Sequence, residues 1–240
     1  MMGIFAKQVD SRPTMAEWPV KIWAPDEIPA FFRTQVFSWA RGNLDGRHFV
    51  YAPERRANQR SFPYLFGYGE DEILYLKKED GEVTEITLHR GQILEVRTTR
   101  ELLEAELTIV YGDPEGQQKS LSLSYVPSVY YLYDPFLNWL LGLDREFVPA
   151  LAERAHPRPQ RLYQESLPMF NYSLGAYRLG TRFSDYIYRF QPHRHKWMPW
   201  RKFLEEWLEI SMERGTFHLH TLGYLTQCRY RLDKFDQTKS

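Results

Sequence analysis

The chain has 240 residues, no net charge at neutral pH, 43% hydrophobic and 26% charged side chains, and an aromatic fraction of 16%. This composition is that of a soluble globular protein, and the length predicts one large or two modest domains with hydrophobic cores. The single cysteine, Cys228, excludes an intramolecular disulfide bond. The longest uncharged run, Ser120–Tyr133, is too short to span a bilayer, and the first residues lack the pattern of a signal peptide. We therefore expect a cytoplasmic protein.

The first 62 residues are rich in proline and arginine and predict one hairpin. Two apolar runs, Val36–Ala40 and Arg47–Tyr51, flank the turn-forming sequence Gly-Asn-Leu-Asp-Gly at positions 42–46. We expect this hairpin to extend a sheet formed further along the chain. Gly67 and Gly69 follow without the third glycine and the helix of a dinucleotide-binding motif, so they indicate a turn.

Residues 71–143 predict a meander of antiparallel strands that ends in a helix. Apolar and polar residues alternate in five short runs, and Asp80-Gly81 is a typical hairpin turn between the first two. The predicted strands are Glu72–Lys78, Val83–Leu88, Gln92–Thr98, Ala105–Tyr111 and Ser120–Val126. Asp134 then supplies an N-cap, and Pro135 the first residue, of a segment with apolar side chains at helical spacing. Five such strands need a curled sheet to bury one face, and we expect the helix to close its open end.

This order of elements resembles the pleckstrin-homology-like domains of bacterial proteins over roughly residues 64–154. The segments that carry the resemblance are Ile73–Leu76, the hairpin after it, Ile93–Val96, Glu101–Tyr111 and the closing helix. The resemblance implies a binding scaffold with its ligand loops at the open end of the sheet. Lipid-binding members cluster lysines and arginines in the first hairpin, where this chain has only Lys77 and Lys78 beside acidic residues. The predicted fold class is α+β, an antiparallel meander in a curled sheet or barrel closed by a helix, with a C-terminal α+β extension.

A linker is predicted at His156–Pro159, because consecutive X-Pro steps disfavour helix. It divides the chain into residues 1–155 and 156–240, with the second part packed on the first. Just before the linker, Asp144–Ala155 predicts a short helix interrupted by Pro149.

The C-terminal part predicts a long helix between two strand regions. Asp185–Phe190 and Phe217–Tyr230 alternate in the manner of strands. Between them, Pro199–Arg214 carries an apolar stripe at helical spacing, with a proline in the first helical position. The glutamates of this helix are expected on its solvated side.

The charges of the chain are segregated. Residues 66–116 carry 13 acidic and 5 basic side chains, a net charge of −8, whereas residues 154–202 carry 10 basic and 2 acidic ones, a net charge of +8. Two opposite blocks in one chain favour mutual compensation through Arg–Glu contacts. The basic block also interleaves aromatic residues, a mixture that can bind phosphates, bases or lipid headgroups. The candidate ligand-binding residues are Arg178, Arg182, Arg189, Arg194, Lys196, Trp197 and Trp200.

Four histidines form two His-x-His pairs, His193 with His195 and His218 with His220. Residues i and i+2 share a face of a strand, so each pair could offer two imidazoles to one metal ion. The alternative is that they are surface or hydrogen-bonded histidines without a tightly held metal, and this is the outcome we expect.

Ser173 lacks the first glycine of a G-x-S-x-G motif, so neither it nor Cys228 is assigned as a nucleophile.

Three classes of function remain open. The leading one is a non-enzymatic interaction module that binds a protein partner or a membrane surface, without a cofactor. The second is a metal-dependent hydrolase that uses the two His-x-His pairs. The third is a nucleic-acid binder that uses the basic, aromatic residues 154–202. Because the opposite charge blocks can neutralise each other, we expect neither anionic vesicles nor nucleic acid to bind strongly at physiological salt.

Overall fold

The computed structural model describes residues 17–55, 61–183, 185–194 and 202–233. It divides into two compact units, Met1–His89 and Arg90–Ser240. The first unit contains an antiparallel sheet of five strands and the second an antiparallel sheet of seven, and both contain helices. The predicted α+β class is therefore confirmed, whereas neither sheet closes into a barrel within the described residues.

In its described residues, the first unit is a meander with one α-helix packed on it. Its strands pair in chain order and are β1 (Val20–Ile22), β2 (His48–Ala52), β3 (Tyr64–Gly69), β4 (Glu72–Glu79) and β5 (Glu82–His89). A 3₁₀ turn, Pro25–Glu27, precedes helix α1 (Ala30–Trp39). The helix buries Phe32, Val36 and Trp39, which share a core with Leu65 and Leu74 of the sheet.

Two predictions for the first unit are wrong. Val36–Ala40 is the end of α1 and not a strand, because Val36 and Trp39 follow Phe32 at helical spacing and point to the same core. Gly67 and Gly69 lie inside β3 and not in a turn. A Cβ atom on Gly67 would lie 2.5 Å from Cε1 of Phe49 on β2, so glycine is needed here for close packing. The strand predicted after the turn is confirmed as β2.

The second unit has one sheet, with the strand order β8-β7-β6-β12-β11-β10-β9. Its strands are β6 (Ile93–Glu101), β7 (Glu104–Gly112), β8 (Gln118–Tyr125), β9 (Asp185–Arg194), β10 (Lys202–Met212), β11 (Gly215–Leu222) and β12 (Leu225–Leu232). The helices are α2 (Asp134–Leu140), α3 (Pro149–Ala155), α4 (Gln160–Glu165) and α5 (Leu167–Tyr172), with 3₁₀ segments Arg90–Gln92, Pro127–Leu132 and Ser173–Leu179. Within the described residues, no helix has both the length and the apolar character needed to cross a bilayer.

All five strands predicted for residues 71–143 are present, and the predicted helix follows. It begins at Asp134, with Tyr133 and not Asp134 in the N-cap position and without a side-chain capping hydrogen bond, so the predicted cap is wrong. The five strands do not form one sheet, however. β4 and β5 belong to the five-stranded sheet, whereas β6, β7 and β8 belong to the seven-stranded one. The reason is that β6 pairs on its other side with β12, a strand from the far end of the chain. Alternation predicts strands, but it does not specify their partners.

The long helix predicted at Pro199–Arg214 is wrong, since residues 202–212 form strand β10. Backbone pairing with β9 and β11 replaces the helical hydrogen bonds. Glu206 interrupts the alternation of apolar residues along this strand, because a charged residue occupies one of the positions that face the core. Its carboxylate is buried but accepts hydrogen bonds from Ser166 and Tyr188. Distant tertiary partners therefore allow an acidic residue where the sequence alone indicates an apolar one.

The predicted division between residues 155 and 156 falls inside the second unit. Helix α3 begins at Pro149, so this proline starts the helix and does not interrupt it. The chain on both sides of the predicted linker is connected by side chains. The Tyr177 hydroxyl donates to the His156 carbonyl, and Nε of Arg158 lies 2.7 Å from Oε1 of Glu153. Asp185–Phe190 is confirmed as part of β9, and the Phe217–Tyr230 pattern forms two strands, β11 and β12.

Candidate functional site

The two faces of the seven-stranded sheet differ in what covers them. On one face, which we call the inner face, Leu208, Phe217 and Tyr230 are buried under the helical segments of the second unit. The alternate residues of the same strands point to the other face. There they line a shallow cavity of about 640 Å³. We call this surface the polar face, and its central residues are Ile187, Arg189, Gln191, Trp207, Glu209, His218, His220, Gln227 and Arg229.

An aromatic stack lies at the centre of the polar face. Strand pairing places Trp207 of β10 beside His220 of β11, and their rings are stacked with centroids 5.4 Å apart and an interplanar angle of 14°. Nε2 of His220 lies 3.0 Å from Oε1 of Glu205. The other oxygen of Glu205 accepts a hydrogen bond of 3.0 Å from Nε2 of Gln191 on β9. Side chains from three strands thus hold the tryptophan ring in a defined orientation.

Acidic and basic groups alternate across the same face. Glu95 of β6 pairs with Arg97 and also with Arg229 of β12, whose Nε lies 3.3 Å from Oε1 of Glu95. Nδ1 of His218 lies 3.5 Å from Oε2 of Glu209. The polar face therefore presents ordered charges of both signs and not a uniformly basic patch.

The polar face ends at an edge strand with exposed apolar side chains. Within the described residues, β9 has a paired neighbour, β10, on one side only. Ile187, on the polar face, is 49% exposed, and Phe190, whose side chain lies on the opposite side of the strand beside Tyr188, is 61% exposed. A ten-residue edge strand offers backbone N–H and C=O groups to an added strand. This edge and the adjacent aromatic stack are the features most suited to binding.

The pKa of His218 on this face is shifted from its ordinary value. Burial lowers the pKa of His218 from its ordinary value; the neighbouring Glu209 and Glu95 raise it, and Arg229 and Arg231 lower it further. The net shift is downward, so the folded chain favours the neutral imidazole.

We expect acidification to destabilise the protein partly through His218. In the unfolded chain this histidine binds a proton near its ordinary pKa of 6.5, while in the folded chain it does so only at lower pH. The stability is therefore fully present above pH 6.5 and declines as the pH falls toward the folded pKa. Replacing His218 with Asn should make the loss of Tm between about pH 7.5 and pH 5 smaller than in the unmodified chain. Thermal unfolding at both pH values measures this, and two parallel pH profiles would contradict it.

The structure separates the predicted ligand-binding residues. Arg189 lies on the polar face, whereas Arg178 is buried on the inner face, and Arg182 is exposed in the segment before β9. Arg194 occupies the last position of β9, but its side chain lies outside the described residues, as do Lys196, Trp197 and Trp200. The described ion pairs of the basic block join Arg158, Arg161 and Arg178 to Glu153, Glu165 and Asp134, which lie outside the acidic segment 66–116.

The two His-x-His pairs lie on different parts of the sheet. His218 and His220 share a face of β11 as predicted, and each is beside a glutamate. His193 lies on β9 four residues beyond Arg189, about 13 Å along the strand, and β10 separates β9 from β11. His195 lies outside the described residues. Among the residues that are described, no group of three or more potential metal ligands occurs.

The sequence analysis placed Trp207 in the apolar stripe and Glu205 on the solvated side of a predicted helix, whereas both residues belong to the polar face of β10. The period-two spacing of Leu204, Glu206, Leu208, Ile210 and Met212 was the signal that could have identified the strand.

No protein-family model, curated protein or solved structure matches the chain. Its function is therefore inferred from the geometry of its own residues.

Proposed function

We propose that the chain is a non-enzymatic interaction module that binds a protein segment at the polar face and along the edge of β9. The observation that supports this most directly is the asymmetry of the seven-stranded sheet. Helical segments cover the centre of its inner face, while its polar face carries an ordered Trp207–His220 stack beside an edge strand on which Ile187 is exposed.

An extended peptide fits this arrangement because it can add one strand to the sheet. Backbone hydrogen bonds to β9 would give affinity, and alternate side chains of the peptide would reach toward Trp207 and Arg189. Pro192 has no backbone N–H, so pairing would be favoured along Asp185–Gln191. This length is that of a typical β-strand.

The charges favour a protein over an anionic membrane or a nucleic acid. Glu95, Glu205 and Glu209 lie between the arginines and histidines of the polar face and interact with them. These carboxylates would repel the phosphates that a membrane surface or a nucleic acid presents. A protein segment with charges of both signs can complement such a surface.

The same proposal retains the pleckstrin-homology-like order of elements, although β4 and β5 lie in one sheet and β6 to β8 in the other. Strands β4 to β8 and the following helix α2 occur in the order on which the resemblance rests. The added strands β9 to β12 would then be the extension that carries the binding surface.

The test uses a phage-displayed library of random linear peptides, from which peptides that bind the full chain are selected. We expect selected peptides to lose at least roughly tenfold in affinity when Arg189 is changed to Glu or Trp207 to Ala. N-methylation of alternate peptide backbone amides should weaken binding similarly, because it removes the hydrogen bonds to β9. Fluorescence polarisation with a labelled synthetic peptide measures both effects.

The matched control is Arg154→Glu, which reverses the charge of an exposed arginine on α3 and should leave peptide affinity unchanged. Equal binding to the Trp207→Ala chain would contradict the proposal. Micromolar binding of anionic vesicles or single-stranded DNA at about 0.15 M salt, lost in Arg189→Glu, would favour the membrane or nucleic-acid alternative. Self-association lost in the same variant would identify the segment as a second copy of this chain.

A further inference from the structure

A second, smaller cavity lies on the inner face of the seven-stranded sheet. It has a volume of about 280 Å³ and is bounded by β6, β7, β8 and β12 on one side and by helical segments on the other. At about 30 Å³ per water molecule, this is room for roughly nine waters or a ligand of about ten heavy atoms. Such a volume is just below the usual range of about 300–1,000 Å³ for ligand sites, which suits a small metabolite-sized molecule.

The cavity has an exposed mouth and a buried floor. Arg100, Tyr130 and Tyr172 are exposed and form the mouth. Tyr125 and Tyr230 are buried and belong to the floor. The remaining wall includes three leucines, Leu107, Leu137 and Leu174. Flat aromatic rings and leucine side chains provide apolar contact for the body of a ligand.

The charged groups that line the cavity have a net positive charge. They are two guanidinium groups, of Arg100 and Arg178, and one carboxylate, of Asp134. Nη2 of Arg178 lies 2.6 Å from Oδ1 of Asp134, and its Nε donates to Oδ1 of Asn138 at 2.7 Å. The carboxylate of the cavity is thus engaged by Arg178. Arg100 stands at the mouth, with its guanidinium carbon 5.2 Å from the ring centroid of Tyr130 and a hydrogen bond to Tyr125.

The remaining polar groups of the cavity are neutral hydrogen-bonding groups. Burial raises the pKa of Tyr125 to about 12, and it raises the pKa of Tyr230 as well. Desolvation by the surrounding protein raises the pKa of the Cys228 thiol to about 11, although a hydrogen bond with Thr98 and the charge of Arg100 lower it. At neutral pH these groups therefore remain protonated and do not oppose an anion.

We propose that this cavity binds a small organic monoanion, a carboxylate attached to an aromatic or short apolar body. The carboxylate lies at Arg100, because a guanidinium group binds a carboxylate through two parallel hydrogen bonds. The body lies between the tyrosine rings of the mouth and the leucines of the wall. This site is independent of the proposed protein-binding function, since it is on the opposite face of the sheet.

The single cysteine of the chain makes the proposal testable. Cys228 lines the cavity and is partly accessible, so any adduct of a small neutral thiol reagent reports on this site. We expect benzoate to slow the modification of Cys228 by methyl methanethiosulfonate at least roughly fivefold at saturation, as measured by intact-mass spectrometry. Benzamide has the same shape without the charge and should protect at least about tenfold less well at equal concentration.

Variants on the two faces of one sheet provide the matched comparison. Arg100→Gln should abolish protection by benzoate, and because Arg100 is exposed, the folded chain should persist. Arg229→Gln removes an arginine next to Cys228 in sequence but on the polar face, and it should leave protection intact. Arg229 also lies on the proposed peptide-binding surface, whereas Arg100 lies at the cavity on the other face of the sheet. Loss of peptide binding and loss of benzoate binding can therefore be measured separately with these two variants.

Three results would overturn the proposal. The first is equal protection by benzoate and benzamide, and the second is full protection in Arg100→Gln. The third is inorganic phosphate binding as tightly as benzoate, since this would show that the apolar body contributes nothing. If Cys228 does not react, benzoate binding is measured instead by saturation-transfer NMR with the unmodified chain and the same two variants. Absence of a benzoate signal with the unmodified chain would overturn the proposal.

Discussion

Replacing Asn138 with Leu is expected to lower the free energy of unfolding by about 3–5 kcal/mol. Asn138 is 1% exposed and lies on α2, one helical turn after Asp134. Its Oδ1 accepts a hydrogen bond from Nε of Arg178, which is itself 8% exposed. Leucine has a similar size but no acceptor, so the substitution leaves part of a buried guanidinium group without a hydrogen bond.

The same amide also organises the loop after α2. Nδ2 of Asn138 donates to the carbonyl oxygens of Arg145 and Phe147, at 2.9 and 3.0 Å. Both donors are lost in Asn138→Leu, and two carbonyl groups lose a partner inside the protein. Each such loss costs on the order of 1 kcal/mol, in addition to the larger penalty at the charged group.

Urea denaturation followed by circular dichroism measures the effect of Asn138→Leu. Asn171→Leu is the matched control, because Asn171 is exposed and the same chemical change there should alter stability by less than about 0.5 kcal/mol. Equal destabilisation by the two substitutions would show that the Asn138 hydrogen bonds do not stabilise the fold.

Replacing Glu206 with Ala should lower the free energy of unfolding by about 2–4 kcal/mol. Glu206 is 5% exposed on the inner face of β10. Its Oε1 accepts hydrogen bonds from Oγ of Ser166 at 2.5 Å and from the Tyr188 hydroxyl at 2.8 Å. Ser166 in turn caps α5 by accepting from the Met169 N–H. Alanine would leave the buried Ser166 hydroxyl and the partly buried Tyr188 hydroxyl without this acceptor and would create a cavity.

Tyr188 gives this substitution a second readout. Burial and the hydrogen bond to Glu206 raise the pKa of Tyr188 to about 12. In Glu206→Ala the hydrogen bond and the nearby carboxylate are absent, so the pKa of Tyr188 should fall toward its ordinary value. NMR titration of the tyrosine ring detects this change.

Glu209→Ala is the control for Glu206→Ala, because Glu209 lies on the same strand with its side chain about half exposed on the polar face. Its replacement should change stability by no more than about 0.5 kcal/mol. The two substitutions also distinguish a strand from the helix that the sequence indicates. A larger effect of Glu209→Ala than of Glu206→Ala would contradict the strand orientation of β10.

Several elements could be predicted because their signals are local. Asp80 and Gly81 both have positive φ angles in the turn between β4 and β5, as the hairpin prediction requires. The strands of residues 71–143 follow from alternation, which depends only on neighbours two residues apart. Helix α2 begins at Asp134, one residue before the predicted first position, and Pro135 in its first turn costs no hydrogen bond.

The polar face could not be predicted because it is assembled from distant segments. Glu95 meets Arg229 only because β6 pairs with β12, and Gln191 meets Glu205 only because β9 pairs with β10. The apolar stripe of residues 199–214 fits a helix and a strand equally well at most positions. Strand pairing on both sides of β10 decided between them.

By itself, the sequence determined which segments alternate, where the tight turns lie and that the chain is α+β, because these properties depend on neighbouring residues. The tertiary structure alone decided that the meander is divided between two sheets and that residues 202–212 are a strand. It also decided that Arg178 is buried while Arg189 lies on the polar face. The physical reason is that strand pairing and the burial of Glu206 and Arg178 depend on partners 18 to 44 residues away, and local patterns carry no information about such partners.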